Sequence, residues 1–354
     1  MRLFLLPLLL APASCIMDGG LNDLTEVESP LDPEEPGGGV ATDPFKDMGH
    51  VTGRICGTNG SSWVGGATVW IEEPTGKIVN AFTNVDGEFA LLGVTPGIHT
   101  VRVMKGSFNR VFQVEVFANI TTALPVDECL EQGDLRLAVV TGEFDRIQDI
   151  LGRMDLEYDL VKGLESTDHV DFLLDLEAMS RYDILFLNCG MDEVWWDLKD
   201  PIGQNIRSYL EGGGSVYTSD MTYAVMEAAY PDAMDFVGRD DILFHPNQLV
   251  GAAVVTGNVV DKELERSLGS ETVVVNYESD GLYAAGQAVG TATELITGSF
   301  NNYNRDSGTT YWNTGVLAAR QDVGPGRIIF TSFHNEAQSP ASMDALLEAL
   351  VLTL

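Results

Sequence analysis

Basic side chains are scarce in this chain: 20 Lys and Arg stand against 53 Asp and Glu, leaving a formal charge of −33 over 354 residues. A field of that sign repels phosphate backbones and anionic head groups within a Debye length, which excludes nucleic acid as a partner. It favours cations, basic partners or plain solubility. Long apolar runs are also missing, since beyond residue 15 none approaches the ~20 residues that span a bilayer. Histidine is sparse. His50, His99, His169, His245 and His334 form no i,i+4 pair and have no Cys-x-x-Cys partner, so spacing predicts neither a metal centre nor a cofactor. Cysteine is limited to Cys15, Cys56, Cys129 and Cys189.

The N-terminus carries an export signal. Met1-Arg2 supplies a positive charge, Leu3 to Leu10 an apolar stretch broken by Pro7, and Ala11 to Ser14 small residues before Cys15. The stretch is too short for a transmembrane helix. Ala13-Ser14-Cys15 resembles the end of a bacterial lipobox. That resemblance implies a signal peptide over residues 1–14 and a mature chain beginning at lipidated Cys15, although Pro12 stands where the motif usually has leucine. Ala11-Pro12-Ala13 also fits a signal-peptidase site, the alternative being a freely secreted product. The short apolar core and the acidic stretch behind it favour the lipid anchor, at the bacterial cell envelope and on the outer membrane. Residues 15–48, including PLDPEEPGGG, bury too little apolar surface to offset their ordering entropy and read as a disordered linker. Export permits disulfides. Cys56 and Cys129 flank the first domain and can staple its ends, contributing about 4 kcal/mol in the chain-entropy model; Cys189 is then left over.

Residues 49–130 read as short β-runs separated by turns, and some seven strands in this length predict an all-β sandwich. Four segments carry a resemblance to the carboxypeptidase regulatory-like domain, a transthyretin-like sandwich: Val51-Thr-Gly-Arg, Gly66-Ala-Thr-Val, Thr83-Asn-Val-Asp-Gly-Glu-Phe89 and Gly93-Val-Thr-Pro-Gly97. The resemblance implies a spacer or adhesion module. Asn84 and Asp86 offer too few oxygens for Ca²⁺ and are expected to build a turn around Gly87.

Residues 134–354 alternate strand and helix patterns. Apolar runs at Leu135–Val140, Tyr182–Leu187, Ser215–Thr218 and Gly326–Thr331 alternate with helical spacing at 143–154, 170–179, 201–210, 221–229 and 342–352. This predicts an α/β, flavodoxin-like, doubly wound parallel sheet, with a β-rich insertion near 243–289. Asn188-Cys189-Gly190 after one strand, the Gly212-Gly213-Gly214 turn leading to Thr218-Ser219-Asp220, and GRIIFTSFHNE over Gly326–Glu336 resemble the class I glutamine amidotransferase domain. In that family the strand after the Gly-rich turn ends at a nucleophilic cysteine on a strained elbow. Here Ser219 or Asp220 occupies the place, His334 matches the catalytic histidine, and Glu336 its acidic partner. The resemblance therefore implies a degenerate site.

Candidate catalytic residues are Ser219 or Cys189 with His334 and Glu336, against the alternative that Ser219 or Asp220 caps the following helix. Asn188, Asp192, Asp220 and Tyr223 are the crevice candidates; His334 with Asp220 and Asp192 is the one grouping the fold would bring together. Trp195, Trp196 and Trp312 can line the crevice or fill the core. The expected function is a non-catalytic, membrane-anchored envelope lipoprotein with a binding or assembly role toward a carbohydrate or protein ligand. The alternatives are a hydrolase of an amide, ester or glycan, and an acidic Ca²⁺-responsive adhesion module.

Overall fold

Alternation of buried and more exposed residues runs through most strands between residues 49 and 130. The computed structural model describes residues 45–238, 247–278, 283–334 and 341–354, without the side chains of residues 341 and 342. The expectations for Cys15, the export signal, linker residues 15–44, His245 and Glu336 lie outside the described residues. Strands β1 (Gly49–Cys56), β2 (Thr68–Glu72), β3 (Ile78–Phe82), β4 (Glu88–Val94), β5 (Gly97–Lys105), β6 (Phe108–Val116), β7 (Thr121–Ala123) and β8 (Glu128–Cys129) form two four-stranded sheets. One runs β4-β1-β7 with β8 beside β1, and the other runs β3-β2-β5-β6. Val51, Ile55, Phe89 and Leu91 from the first sheet share a core with Val69, Ile71, Val101 and Val103 from the second. Each such side chain contributes roughly 1.5–3 kcal/mol by leaving water.

Local chemistry fixes the turns. Asn84 Oδ1 accepts the N–H groups of Asp86 and Glu88 at 3.0 and 2.9 Å, and Gly87 takes φ +75°. That oxygen is committed to the turn, which argues against calcium binding there. Cys56 and Cys129 are direct partners in the parallel β1–β8 pair and are joined by a disulfide. The linker ends earlier than composition suggests. Phe45 accepts the Met48 N–H at 2.9 Å and sets its ring edge-on to His50 at 5.5 Å, while Asn119 donates to Met48 at 2.7 Å.

The second half is built on one twelve-stranded sheet. Strands β9 (Leu137–Val140), β10 (Asp159–Val161), β11 (Ile184–Leu187) and β12 (Ser215–Ser219) come first in the chain. Helices α1 (Ile147–Arg153), α2 (Asp168–Leu174), α3 (Leu176–Met179) and α4 (Lys199–Glu211) lie between them, and α5 (Tyr223–Ala229) follows. After β13 (Met234–Phe236), β14 (Gln248–Val250) and β15 (Ala253–Val259), helix α6 (Lys262–Leu268) precedes β16 (Thr272–Tyr277) and β17 (Gly286–Val289). Strands β18 (Thr293–Asn304), β19 (Thr309–Val323) and β20 (Gly326–Thr331) and helix α7 (Ala341–Val351) complete the chain. Every residue of β9, β11 and β12 is buried, as strands covered on both faces require.

The sheet order is β10-β9-β11-β12-β20-β19-β18-β15-β16. Neighbours from β10 to β20 pair in parallel; from β20 onward they pair antiparallel. The expected parallel sheet is thus one half of a mixed sheet, extended by antiparallel strands. Its parallel half has the 2-1-3-4-5 order of flavodoxin-like sheets. The β18–β19 hairpin is unannounced in the sequence because Asn301, Asn302 and Asn304 disfavour strand by local propensity. Pairing along the whole length of β18 overrides that preference.

The described residues form one compact unit. Helix α6, N-capped by Asp261 and ended by Gly269 at φ +62°, docks onto the first half. Lys105 of β5 donates to Glu263 Oε1 and Ser267 Oγ at 3.1 and 2.8 Å, and the Arg266 guanidinium lies 4.6 Å from the centre of the Phe82 ring. At the C-terminus, the Leu354 carbonyl accepts the Ser107 N–H at 2.8 Å.

Candidate functional site

Strand order brings the chemistry together. In open α/β sheets ligands sit beyond the carboxyl ends of the strands, near where the winding reverses, here between β9 and β11. Cys189 follows β11 by two residues, Asp220 follows β12 directly, and His334 follows β20 by three. Asp145 comes from the loop after β9. Cys189, Ser219, Asp220, His334 and Asp145 are each at most 2 % exposed.

Asp220, not Ser219, occupies the elbow. Its φ is +50°, a left-handed conformation rare for a residue with a side chain and tolerated best by Asp and Asn. A 3-10 turn over Asp220–Thr222 then leads into α5. Asp220 Oδ1 accepts the Ala284 N–H at 2.6 Å. Its other oxygen accepts the Cys189 thiol at 3.3 Å and stands 3.6 Å from His334 Nε2. Cys189, Asp220 and His334 thus offer one donor atom each, all within 4.8 Å of one another. The Tyr283 ring flanks His334 at 5.7 Å, and the Tyr277 hydroxyl pairs with Ser332 Oγ at 2.5 Å.

Ser219 is differently employed. Its hydroxyl donates its single proton to Asp145 Oδ2 at 2.5 Å and accepts the Cys189 N–H at 3.1 Å. The expected pairing of Ser219 with His334 as general base is therefore absent. Its backbone N–H donates to Thr222 Oγ1 at 2.8 Å, which secures the turn. Ser219 is the N-cap of the 3-10 turn that leads into α5 and forms a reciprocal capping box with Thr222, while Asp220 spends Oδ1 on the Ala284 N–H. Burial pushes the Cys189 thiol well above its ordinary range, and the Asp220 and Asp145 carboxylates push the same way. A hydrogen bond from the Met221 backbone opposes them without prevailing. A thiol so held is a poor source of thiolate.

The remaining candidates disperse. Asn188 is a brace for α1: its Oδ1 accepts the Ile147 N–H at 3.4 Å and its Nδ2 donates to Gln148 at 2.8 Å. Asp192 accepts the Glu165 N–H at 2.7 Å and its carbonyl bonds His169 Nε2 at 2.9 Å, so the expected His334–Asp220–Asp192 grouping becomes one with Cys189 as its third member. Tyr223 lies in the core against Phe236, with ring centres 4.5 Å apart, and Trp195 is buried in the same cluster beside Trp196. Trp312 stands exposed on β19. Asp145 went unremarked in the sequence, although its place just beyond the carboxyl end of β9 was the available signal.

No family model matches the chain. No curated protein matches it either. Among solved structures, the glutaminase domain of Trypanosoma brucei CTPS with bound acivicin is similar at 13% identity and a TM-score of 0.37, covering 62% of this chain and 93% of that one. A cytoplasmic protein from Salmonella typhimurium is similar at 11% identity and a TM-score of 0.37, over 62% of this chain and 97% of its own. A β-galactosidase from Rahnella sp. R3 is similar at 10% identity and a TM-score of 0.34, over 61% of this chain but 31% of the enzyme. Likenesses this distant assign neither family nor activity.

Proposed function

We propose that the protein is a non-catalytic envelope lipoprotein whose α/β half, a degenerate class I glutamine amidotransferase-like domain, serves binding or assembly. The first half acts as a carboxypeptidase regulatory-like spacer between that domain and the lipid anchor on Cys15. The observation that carries the reading is Asp220. The elbow that presents a nucleophile in catalytic relatives of such a domain presents here a buried carboxylate, one of whose oxygens is held by the Ala284 N–H. The two side chains able to replace a nucleophile support it too. Ser219 gives its proton to Asp145 and Cys189 gives its own to Asp220, so neither donates to His334. The acidic surface suits solubility outside the cell.

The test is chemical. Native protein exposed to a fluorophosphonate and, separately, to iodoacetamide is expected to carry no label on Ser219 or Cys189. Turnover of an amide or ester that is lost in Ser219→Ala, Cys189→Ala or His334→Ala would overturn the reading. For the anchor, mass spectrometry of the mature N-terminus is expected to find acylated Cys15; unmodified Ser14 at that end contradicts it.

A further inference from the structure

We propose that Cys189, Asp220 and His334 bind a divalent transition-metal ion of the zinc class. The three side chains project from the carboxyl ends of β11, β12 and β20, which are consecutive neighbours in the sheet. Strands about 4.8 Å apart bring residues just past their ends to one point. Two of the three donor pairs are already spaced for an ion, and the third lies within 4.8 Å. Ligands 2.0–2.3 Å from a tetrahedral centre stand roughly 3.3–3.6 Å apart. Here Cys189 Sγ lies 3.3 Å from Asp220 Oδ2, and His334 Nε2 lies 3.6 Å from the same oxygen.

The donor set selects the ion class. A binding ion displaces the Cys189 thiol proton to solvent, and thiolate, imidazole and carboxylate together suit zinc and its neighbours, whereas magnesium and calcium take oxygen ligands and reject sulfur. The surroundings hold the ligands in place, as outer contacts do at metal centres. Ala284 N–H takes Asp220 Oδ1 and so directs Oδ2 inward; the Ser219 hydroxyl accepts the Cys189 N–H; the Tyr283 ring limits the swing of His334. All three ligands are buried, and the fourth position of a tetrahedral ion falls to a donor outside this trio. The ion would tie three strand ends together where a catalytic relative runs its chemistry. This inference rests on the reading of Cys189 as a held side chain and not a nucleophile.

The experiment uses the full mature chain, stripped with a chelator and then titrated with Co²⁺, with Zn²⁺ as competitor. One Zn²⁺ per chain is expected to survive gel filtration. Bound Co²⁺ is expected to show a thiolate-to-metal band in the near ultraviolet that Zn²⁺ removes. Cys189→Ser loses that band and His334→Gln weakens binding at least about tenfold, while Asp192→Asn, outside the cluster, binds as wild type does. Retention of no ion by wild type, or a cobalt spectrum without the thiolate band, overturns the proposal. Both are read on the wild-type chain, so a variant that fails to fold does not obscure the result. Iodoacetamide labelling of Cys189 in the stripped protein would strike at the non-catalytic reading alone, because metal binding is measured separately.

Discussion

At the scale of single residues, Asp220 combines an unfavourable backbone conformation with a favourable side-chain bond. Its left-handed φ suits Asp or Asn, and Oδ1 satisfies a buried N–H that would otherwise lack a partner. Asp220→Asn keeps both features. Asp220→Ala keeps the unfavourable backbone and strands the Ala284 N–H, at a cost of about 1–3 kcal/mol. In chelator-treated protein, urea denaturation is expected to place Asp220→Ala about 2 kcal/mol below Asp220→Asn. Equal stabilities would mean that the Ala284 contact contributes nothing. The sequence named Ser219 and Asp220 together, and only the sign of φ shows which of them is the elbow. Cys189 and Asp220 lie 31 positions apart, so their contact follows from strand order and not from spacing.

At the scale of elements, legibility followed burial. Strands β9, β11, β12 and β20 are continuous apolar runs, visible because both faces of each are covered. Helix α4 was readable from its spacing, and the Gly87 turn from Asn84-Val85-Asp86. The β18–β19 hairpin was not, since its Asn-rich strand is polar enough to pass for loop. Strand β8 has only two residues and is held against β1 by the Cys56–Cys129 disulfide together with the Leu130 N–H bond to the Cys56 carbonyl at 2.9 Å. A bridge across a sequence separation of 73 removes denatured-state entropy equivalent to about 4 kcal/mol. Replacing both Cys56 and Cys129 by Ser is expected to cost about 2–4 kcal/mol in urea denaturation. Adding a reductant should lower the melting temperature of the wild type and leave that of the double variant unchanged.

At the scale of the whole molecule, the two halves are coupled through a buried lysine. Lys105 is almost fully enclosed, while its partner Glu263 keeps about a third of its side chain in solvent. Burial pushes the Lys105 ammonium below its ordinary 10.5, against the pull of Glu263 and Asp261 and with the help of Arg266. Burial pushes Glu263 upward, but Lys105, with Arg320 and Arg327, outweighs it and leaves the carboxyl below its ordinary 4.5. The two shifts act on stability at opposite ends of the pH scale. A carboxyl lowered in the folded state stabilises fully above 4.5, and that contribution fades as pH falls through the folded value. An ammonium lowered in the folded state costs stability while it stays charged, and the cost disappears as pH rises from the folded value toward 10.5. Glu263→Gln leaves Lys105 charged and enclosed with its strongest partner gone. Near neutral pH this is expected to cost about 2 kcal/mol, less than for a fully buried pair because solvent already screens Glu263. The gap between wild type and variant, followed by thermal denaturation across pH, should close at both extremes. Acid closes it by protonating Glu263 in the wild type, and alkali closes it by neutralising Lys105 in the variant first. A gap constant across the whole range would show that the two halves are held by packing around α6 and the Ser107–Leu354 contact, with the charges of the Lys105–Glu263 pair contributing nothing.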